Sequence, residues 1–370
     1  MYLAVLGREP DLSLAELEAV FGEIRQLSNN LSLFESKVVP DINRLGGVVK
    51  LAVKLEQKPL DFLMAMPEGK ITIGVSDYSR GASKGSATLE PMKLKKILTR
   101  HGRSVRVVMG DDAVIATATS LHNGLAGKNP KKCELIKVGR DWYRVIGVQD
   151  IDAYSRRDQN RPARDAKVGM LPPKLAQILI NLCGALPERA TILDPFCGTG
   201  VLLQEALLMG YFAYGTDLNE RMVEFSQKNL EWLGHEVLRG GTSRTDFKVF
   251  QGDATSFQWE QPIDAVAAET YLGKPMSQIP SAMESKEQKQ ICAAIILGFL
   301  KNLASQIRPH TPVVIAVPAW LEEDGHYARL EILAKIQDMG YNVNNKTREG
   351  LFYHREGQIV ARDILILRKK

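Results

Sequence analysis

A short apolar run ends in an acid and two glycines at Thr191-Ile-Leu-Asp-Pro-Phe-Cys-Gly-Thr-Gly200. The run predicts a strand ending at Asp194, then a tight loop whose glycines let the backbone approach a ligand, then a helix start with free N–H groups. A second apolar run, Phe212–Thr216, is followed by Asp217, whose carboxylate could bind two ribose hydroxyls. This order is typical of the nucleotide-binding half of a doubly wound parallel sheet.

The acids around the glycine loop favour one nucleotide ligand over another. A dinucleotide fingerprint requires a third glycine where this chain has Leu203. Asp194 at the strand end would repel a pyrophosphate but attract the cationic methionine end of S-adenosylmethionine (AdoMet). Asp253 follows a third apolar strand and could accept from an adenine amine. Any one acid could instead cap an ordinary turn, but the three together favour AdoMet over NAD. The predicted cofactor-binding residues are Asp194, Phe196, Gly198, Gly200, Asp217 and Asp253.

Composition excludes several protein classes. The chain has 370 residues, of which 45% are hydrophobic and 25% charged, as in water-soluble proteins of two or three domains. No apolar run reaches the ~20 residues of a membrane span, and Met1–Gly7 is predicted to be a first strand rather than a signal peptide. Cys133, Cys183, Cys197 and Cys292 lack C-x-x-C spacing, so we expect no metal site, no disulfide framework and a cytoplasmic location.

Apolar periodicity predicts an α/β protein of three units. Two small α+β units are expected over residues 1–70 and 71–150, a polar linker rich in Arg and Pro over 151–170, and a third unit over 171–370. In the third unit strands and helices alternate, which predicts a parallel sheet. The last two apolar segments, Tyr341–Asn345 and Val360–Leu367, are separated only by a loop and are expected to pair antiparallel.

Positive charge is concentrated in the second unit. Residues 80–108 carry eight Lys and Arg residues against one acid, Glu90, and residues 128–132 add a lysine-rich loop. This pattern favours contact with a phosphate backbone, although a solvated helix face would look the same. Arginines of the linker could contact phosphates or a domain interface. The predicted RNA-binding residues are Lys93, Lys95, Lys96, Arg100, Lys131, Lys132, Arg156 and Arg157.

Three motifs together resemble the THUMP-domain RNA methyltransferases, and among them the archaeal and eukaryotic tRNA guanosine-10 N2-methyltransferases. The motifs are the glycine loop Asp194–Gly200, the linker Tyr154–Asp165, and Gly169-Met-Leu-Pro-Pro-Lys174. The resemblance implies an N-terminal ferredoxin-like domain (1–70), a THUMP-type RNA-binding domain (71–150), a linker (151–170) and a Rossmann-like methyltransferase domain (171–370) ending in an antiparallel hairpin. It also implies tRNA as partner and AdoMet as cofactor.

The chain departs from this family at the loop after the fourth strand of the third unit. Amino-directed enzymes of the family carry Asp/Asn-Pro-Pro-Tyr/Phe there, in which the acid or amide accepts from the target amine and the aromatic ring stacks on the flipped base. Here Tyr271 holds the aromatic position, but Ala268 replaces the acid and both prolines are missing. Glu269 is the nearest carboxylate, and we predict Glu269 and Tyr271 as the catalytic residues.

Three interpretations of this departure stay open. Glu269 activates a guanosine N2 amine, or a rearranged loop methylates a different RNA atom, or the chain is an inactive RNA-binding protein with a methyltransferase fold. A DNA amino-methyltransferase is a further alternative. Trp320 could border the substrate opening or belong to the core. We expect a tRNA methyltransferase that acts as a monomer without metal or membrane, and the sequence does not specify an activating subunit.

Overall fold

The computed structural model describes residues 1–165, 170–237 and 246–370, in two compact units, Met1–Ala153 and Tyr154–Lys370. Residues 166–168 of the predicted linker, and Gly169 of the motif Gly169–Lys174, lie outside the described residues. No helix in the described ranges is both long and apolar enough to cross a membrane.

The N-terminal unit is built on one mixed sheet of eight strands in the order β2-β3-β1-β4-β8-β7-β5-β6. Its strands are β1 (Tyr2–Leu6), β2 (Ile24–Ser28), β3 (Leu31–Phe34), β4 (Val48–Lys54), β5 (Ile71–Asp77), β6 (Val105–Val108), β7 (Lys132–Val138) and β8 (Asp141–Val148). The first four strands come from the predicted domain 1–70 and the last four from 71–150. They meet where β4 pairs antiparallel with β8, and the division into two domains stays a prediction.

Helices cover this sheet through apolar faces. They are α1 (Pro10–Phe21), α2 (Pro59–Met64), α3 (Lys84–Arg100) and α4 (Thr117–His122), and α5 (Ile151–Gln159) leads into the second unit. In α3, Leu94 and Leu98 are four residues apart and both pack into the core against β5, because that spacing places them on one helix face. A tight turn at Gly139 and Arg140 joins β7 to β8, which pair as a hairpin.

A buried ion pair ties the two halves of the N-terminal sheet together. The Lys50 ammonium on β4 donates to the Glu134 carboxylate on β7 at 2.6 Å, and both side chains are almost fully buried. Ser76 and Ser120 donate to the same carboxylate at 2.6 Å each. Every oxygen of Glu134 thus has a partner, which a buried charge requires.

The C-terminal unit is built on a nine-stranded sheet in the order β11-β10-β9-β12-β13-β17-β15, in which β14 also pairs with β13 and β16 also pairs with β17. Its strands are β9 (Thr191–Asp194), β10 (Phe212–Asp217), β11 (Phe247–Gln251), β12 (Ala265–Glu269), β13 (Pro312–Leu321), β14 (Tyr327–Ala328), β15 (Tyr341–Val343), β16 (Phe352–Tyr353) and β17 (Val360–Lys369). Its helices are α6 (Pro173–Leu182), α7 (Val201–Leu208), α8 (Glu220–Trp232), α9 (Ala282–Ala304), α10 (Leu333–Asp338) and α11 (Asn345–Glu349).

The strand order confirms the predicted α/β architecture. Strands β11, β10, β9, β12 and β13 are all parallel, and β17 then pairs antiparallel with both β13 and β15. Numbered from β9 with β14 and β16 left out, the order is 3-2-1-4-5-7-6, and the direction of winding reverses between β9 and β12. Ligands of open parallel sheets bind at such a reversal, at the carboxyl ends of the strands. Trp320 on β13 belongs to the hydrophobic core and is fully buried, so it does not border an opening.

Part of the predicted linker is helical and makes contacts within the C-terminal unit. Helix α5 occupies residues 151–159, and Arg157 at its end is 8% exposed and paired with Glu205 of α7 at 2.8 Å. The backbone N–H and C=O of Ala163 both bond to Asn229 of α8, at 3.0 and 2.9 Å. Residues that the charge pattern assigned to a solvated connector are thus part of the C-terminal unit.

Candidate active site

Three acids lie at the carboxyl ends of neighbouring strands. Gly215 of β10 is paired with Asp194 of β9, and Val266 of β12 with Leu193. Asp217 and Glu269 therefore lie about two residues beyond the level of Asp194, one on each side of it. Since adjacent strands are ~4.8 Å apart, the register brings these three predicted residues together at one edge of the sheet.

The glycine loop has the backbone that the sequence predicts. Gly198 and Gly200 have φ angles of +49° and +82°, values that favour glycine. The Gly198 N–H donates to Asp217 Oδ2 at 2.9 Å, so the carboxylate of β10 holds the loop of β9 in place. Gly200 lies so close to α8 that a Cβ there would be 2.4 Å from Ser226 Oγ. By contrast, a Cβ on Gly198 would meet nothing within 4 Å.

The carboxylates at this edge differ in their partners. Asp194 is almost fully buried and accepts from the Phe196 N–H at 3.1 Å, and burial raises its pKa well above the usual range. Burial also raises the pKa of Asp217, whose second oxygen accepts from the Asn219 N–H at 2.9 Å. Asp253 is exposed, and one of its oxygens accepts from the N–H and hydroxyl of Thr255 at 2.8 Å. All three keep acceptor capacity for a ligand.

Two apolar side chains complete the predicted cofactor region. Phe196 is half-buried and packs edge-on against Phe299. Leu218, which the sequence interpretation missed, directly follows Asp217 and is 68% exposed. A large apolar side chain exposed beside the predicted ribose-binding acid is suited to cover an aromatic base. The sequence feature that could have identified Leu218 is its position as an apolar residue immediately after a strand-ending acid.

The loop after β12 presents Glu269 and Tyr271 differently. The Arg362 Nε on β17 donates to Glu269 Oε1 in a short ion pair that is largely shielded from water. Burial raises the pKa of Glu269, and Arg362 opposes the rise. Thr270 is tied to the carbonyl of Ala316 through its N–H at 2.9 Å and its hydroxyl at 3.1 Å. Tyr271 leaves the sheet directly after this anchor and is 40% exposed.

Most of the predicted RNA-binding residues are available to a ligand. The side chains of Lys93, Lys96, Arg100, Lys131 and Arg156 are exposed, whereas Lys95 and Lys132 are half-buried. The ammonium of Lys132 donates to the Asn123 carbonyl at 3.1 Å. We refer to Lys93, Lys95 and Lys96 as the α3 lysines.

Arg157 is a correction to the predicted RNA-binding set. Its Nε and Nη2 donate to the two carboxylate oxygens of Glu205, at 2.8 and 3.3 Å, within the interior of the C-terminal unit. Because Arg157 is buried and its guanidinium is paired with Glu205, it is not available to bind an RNA phosphate. Within the described residues, no group of three or more His, Cys, Asp or Glu side chains is arranged to hold a metal ion.

Comparison with known proteins agrees with this geometry. Residues 161–278 match the family UPF0020, described as an RMKL-like methyltransferase domain. The tRNA (guanine(10)-N2)-dimethyltransferase of Methanothermobacter thermautotrophicus is 33% identical over 154 residues, covering 42% of this chain and 40% of the relative. The enzyme of the same name from Methanocaldococcus jannaschii is 44% identical over 196 residues, covering 52% and 49%. The matches thus span less than half the length of either relative.

Among solved structures, TrmN from Thermus thermophilus aligns with 100% of this chain and 99% of its own, at 17% identity and a TM-score of 0.49. That similarity is too low to guide the placement of individual residues. The family match, by contrast, covers the glycine loop, which includes Asp194, the acids Asp217, Asp253 and Glu269, and the loop after β12. Residues 161–278 of the C-terminal unit are thus similar to an RMKL-like methyltransferase domain.

Proposed function

We propose that this protein transfers a methyl group from AdoMet to the N2 amine of a guanosine in tRNA. The observation that carries the proposal is the position of Glu269 at the end of β12, with Tyr271 just beyond it, on the strand next to β9 and at the winding reversal of the sheet. The names of the two archaeal relatives support the choice of substrate. We further propose that the chain acts in the cytoplasm and is a monomer. Light scattering would test the oligomeric state.

The residues of the loop fit AdoMet. Open space in front of Gly198 leaves room for a ligand against the backbone, and Asp217 faces this loop with acceptors for ribose hydroxyls. Leu218 would cover the adenine ring, and Asp253 would accept from its amine. Asp194 places negative charge near the cationic methionine end. When bound, AdoMet supplies an electrophilic methyl group on its sulfonium.

On the other side of the site, Tyr271 offers an exposed ring on which a flipped base can stack. Glu269 accepts an N–H of the base amine through Oε2, since Arg362 occupies Oε1. This hydrogen bond concentrates the nitrogen lone pair that conjugation otherwise spreads into the purine. The transfer is a direct in-line displacement, and positioning of the two reactants provides most of the acceleration.

The N-terminal unit supplies tRNA binding in this proposal. We assign a ferredoxin-like domain to residues 1–70 and a THUMP-type domain to residues 71–150. The α3 lysines, with Arg100 and Lys131, supply positive charge that suits contact with phosphates rather than with bases. Affinity from such contacts is electrostatic and falls as salt rises.

The decisive experiment measures methyl transfer from labelled AdoMet to unmodified tRNA, followed by nucleoside analysis. Wild type is expected to form N2-methylated guanosine. Glu269→Ala is expected to lower kcat by about 10²–10⁴-fold with AdoMet affinity nearly unchanged, and Glu269→Gln, which keeps an acceptor oxygen, should retain part of the activity. The exposed Glu287→Gln on α9 is the matched control and should behave as wild type.

Each other outcome selects a different function. A label in another nucleoside would mean that the loop after β12 serves a different RNA atom. Binding of tRNA without any label would favour an RNA-binding protein that has kept only the fold. Full turnover by Glu269→Ala would remove Glu269 from the mechanism.

The α3 lysines are tested separately by changing all three to Glu. tRNA binding should weaken, and the slope of log K against log salt should fall by about one for each phosphate that the variant no longer neutralises. The control carries the same charge change at three exposed lysines of the C-terminal unit, Lys228, Lys301 and Lys335. An unchanged slope for the α3 variant would show that this helix face is merely solvated.

A further inference from the structure

Arg161 is a buried cation whose hydrogen-bond partners are neutral. It is 3% exposed, its Nη1 donates to the hydroxyl of Thr199 at 3.2 Å, and its Nη2 donates to the sulfur of Met170 at 3.2 Å. Its Nε has no hydrogen-bond partner among the described residues. A charge taken out of water is costly unless an opposite charge or a full set of hydrogen bonds compensates it. Among the residues that the structure describes, this guanidinium therefore lacks a partner anion.

The acids near Arg161 do not provide that anion. Both oxygens of Glu205 are taken by Arg157, and Gln177 adds a third hydrogen bond at 2.8 Å. Asp165 lies 3.5 Å from Arg221. In the described parts of the chain no carboxylate forms an ion pair with Arg161. Burial lowers the pKa of Arg161, and the charges of Asp158 and Glu205 oppose this only in part.

The position of Arg161 points to the cofactor loop. Thr199 lies between Gly198 and Gly200, and its carbonyl accepts from Asn229 at 2.8 Å. Asn229 also bonds the backbone of Ala163, two residues after Arg161, so one side chain holds both the segment that carries Arg161 and the glycine loop. Within the described residues, no other cationic side chain forms a hydrogen bond with any residue of Asp194–Gly200.

We propose that Arg161 binds the α-carboxylate of the methionine portion of AdoMet. This inference rests on the proposed function. AdoMet carries two cationic centres, its ammonium and sulfonium groups, which suit the strand-end acids, and one anion, which suits Arg161. The free Nε–H and a remaining N–H of an Nη group form the edge that binds a carboxylate through two parallel hydrogen bonds. An RNA phosphate is the less suitable anion, because Arg161 is buried.

Calorimetric titration with two ligands tests the assignment. One ligand is AdoMet and the other is decarboxylated AdoMet, which keeps the adenosine, the sulfonium and the amine but lacks the carboxylate. Arg161→Gln should weaken AdoMet binding by about 10–100-fold, the size of a charged hydrogen bond, and change binding of the decarboxylated ligand by less than about threefold. Arg164→Gln, an exposed arginine three residues further on, is the matched control and should alter neither.

The other outcomes separate this inference from the proposed function. Equal losses for both ligands would mean that Arg161 only braces the loop, and unchanged AdoMet affinity with weaker tRNA binding would mean that it holds a phosphate. Either result overturns the assignment and leaves the cofactor in place. A wild type that binds neither ligand overturns the cofactor itself. If Arg161→Gln fails to fold, Arg161→Lys replaces it, since lysine keeps the charge without the planar guanidinium. This variant should lose part of the selectivity for AdoMet over decarboxylated AdoMet. Unchanged selectivity would overturn the assignment.

Discussion

Replacing Gly200 with alanine is expected to destabilise the C-terminal unit for two separable reasons. Gly200 has a φ angle of +82°, and an L-residue in that conformation costs about 1–2 kcal/mol. In addition, the new Cβ would lie 2.4 Å from Ser226 Oγ and 3.2 and 3.3 Å from Ser226 Cβ and Cα. Overpacking of this kind costs about 1–3 kcal/mol, which brings the total to about 2–5 kcal/mol.

Gly210 provides the matched control for the backbone contribution. Its φ angle is +81°, and a Cβ at that position would meet nothing within 4 Å. Gly210→Ala should therefore cost only the conformational part, about 1–2 kcal/mol. For a unit of this size 1 kcal/mol corresponds to about 2–4 °C in Tm, so Gly200→Ala should melt about 2–12 °C below Gly210→Ala.

Thermal unfolding followed by circular dichroism, with AdoMet titration of each variant, measures both effects. AdoMet affinity should fall for Gly200→Ala and hold for Gly210→Ala, because only the first displaces the cofactor loop. Adding Gly200→Ala to a Ser226→Ala background should cost less than adding it to wild type, since the nearest atom is then gone. Equal melting of the two glycine variants, with equal AdoMet affinity, would refute the crowding argument.

Three further predictions concern buried charges. Glu134→Gln leaves Lys50 buried without a counter-charge and should cost about 3–5 kcal/mol in chemical unfolding; a loss below 1 kcal/mol would contradict this. Burial raises the pKa of Asp194 above its unfolded value, so its stabilising contribution is present at low pH and lost as pH rises through the folded pKa. Asp194→Asn should therefore melt above wild type at pH 8, with a gain that shrinks towards pH 4, while binding AdoMet more weakly. Arg362→Met should raise the pKa of Glu269, and the acidic limb of kcat against pH should then move to higher pH.

The local sequence pattern was sufficient to predict the parallel sheet and the edge at which its strand-end acids meet. A strand-ending acid such as Asp194 or Asp217 is visible in the sequence, and parallel strands necessarily bring their carboxyl ends to the same edge. The antiparallel pairing of Tyr341–Val343 with Val360–Lys369 was equally predictable, because the short connection rules out a parallel crossover. In each case the deciding information lies within a few residues along the chain.

Ion pairs between distant segments could not be predicted in the same way. Arg157 and Glu205 are 48 residues apart, and Glu269 and Arg362 are 93 residues apart. The arginine-rich segment 154–165 looks like a solvated connector because nothing in its local pattern shows that an acid on α7 will receive one of its charges. For the same reason, the sequence interpretation assigned no ion-pair partner to Glu269.

The pairing of Glu269 with Arg362 gives a physical reason for the departure from the family motif. A carboxylate buried near other acids tends to become protonated, and in the proposed mechanism a protonated Glu269 could no longer attract the amine hydrogen. Arg362, on the strand beyond β13, opposes that tendency and fixes one oxygen, which leaves the other for the base. The prolyl segment of the family motif constrains its acid through the backbone. In this chain a side-chain ion pair holds Glu269 in place, and the two Thr270 bonds to Ala316 fix the backbone beside it. The missing prolines are therefore compatible with an active site, provided that Arg362 is present.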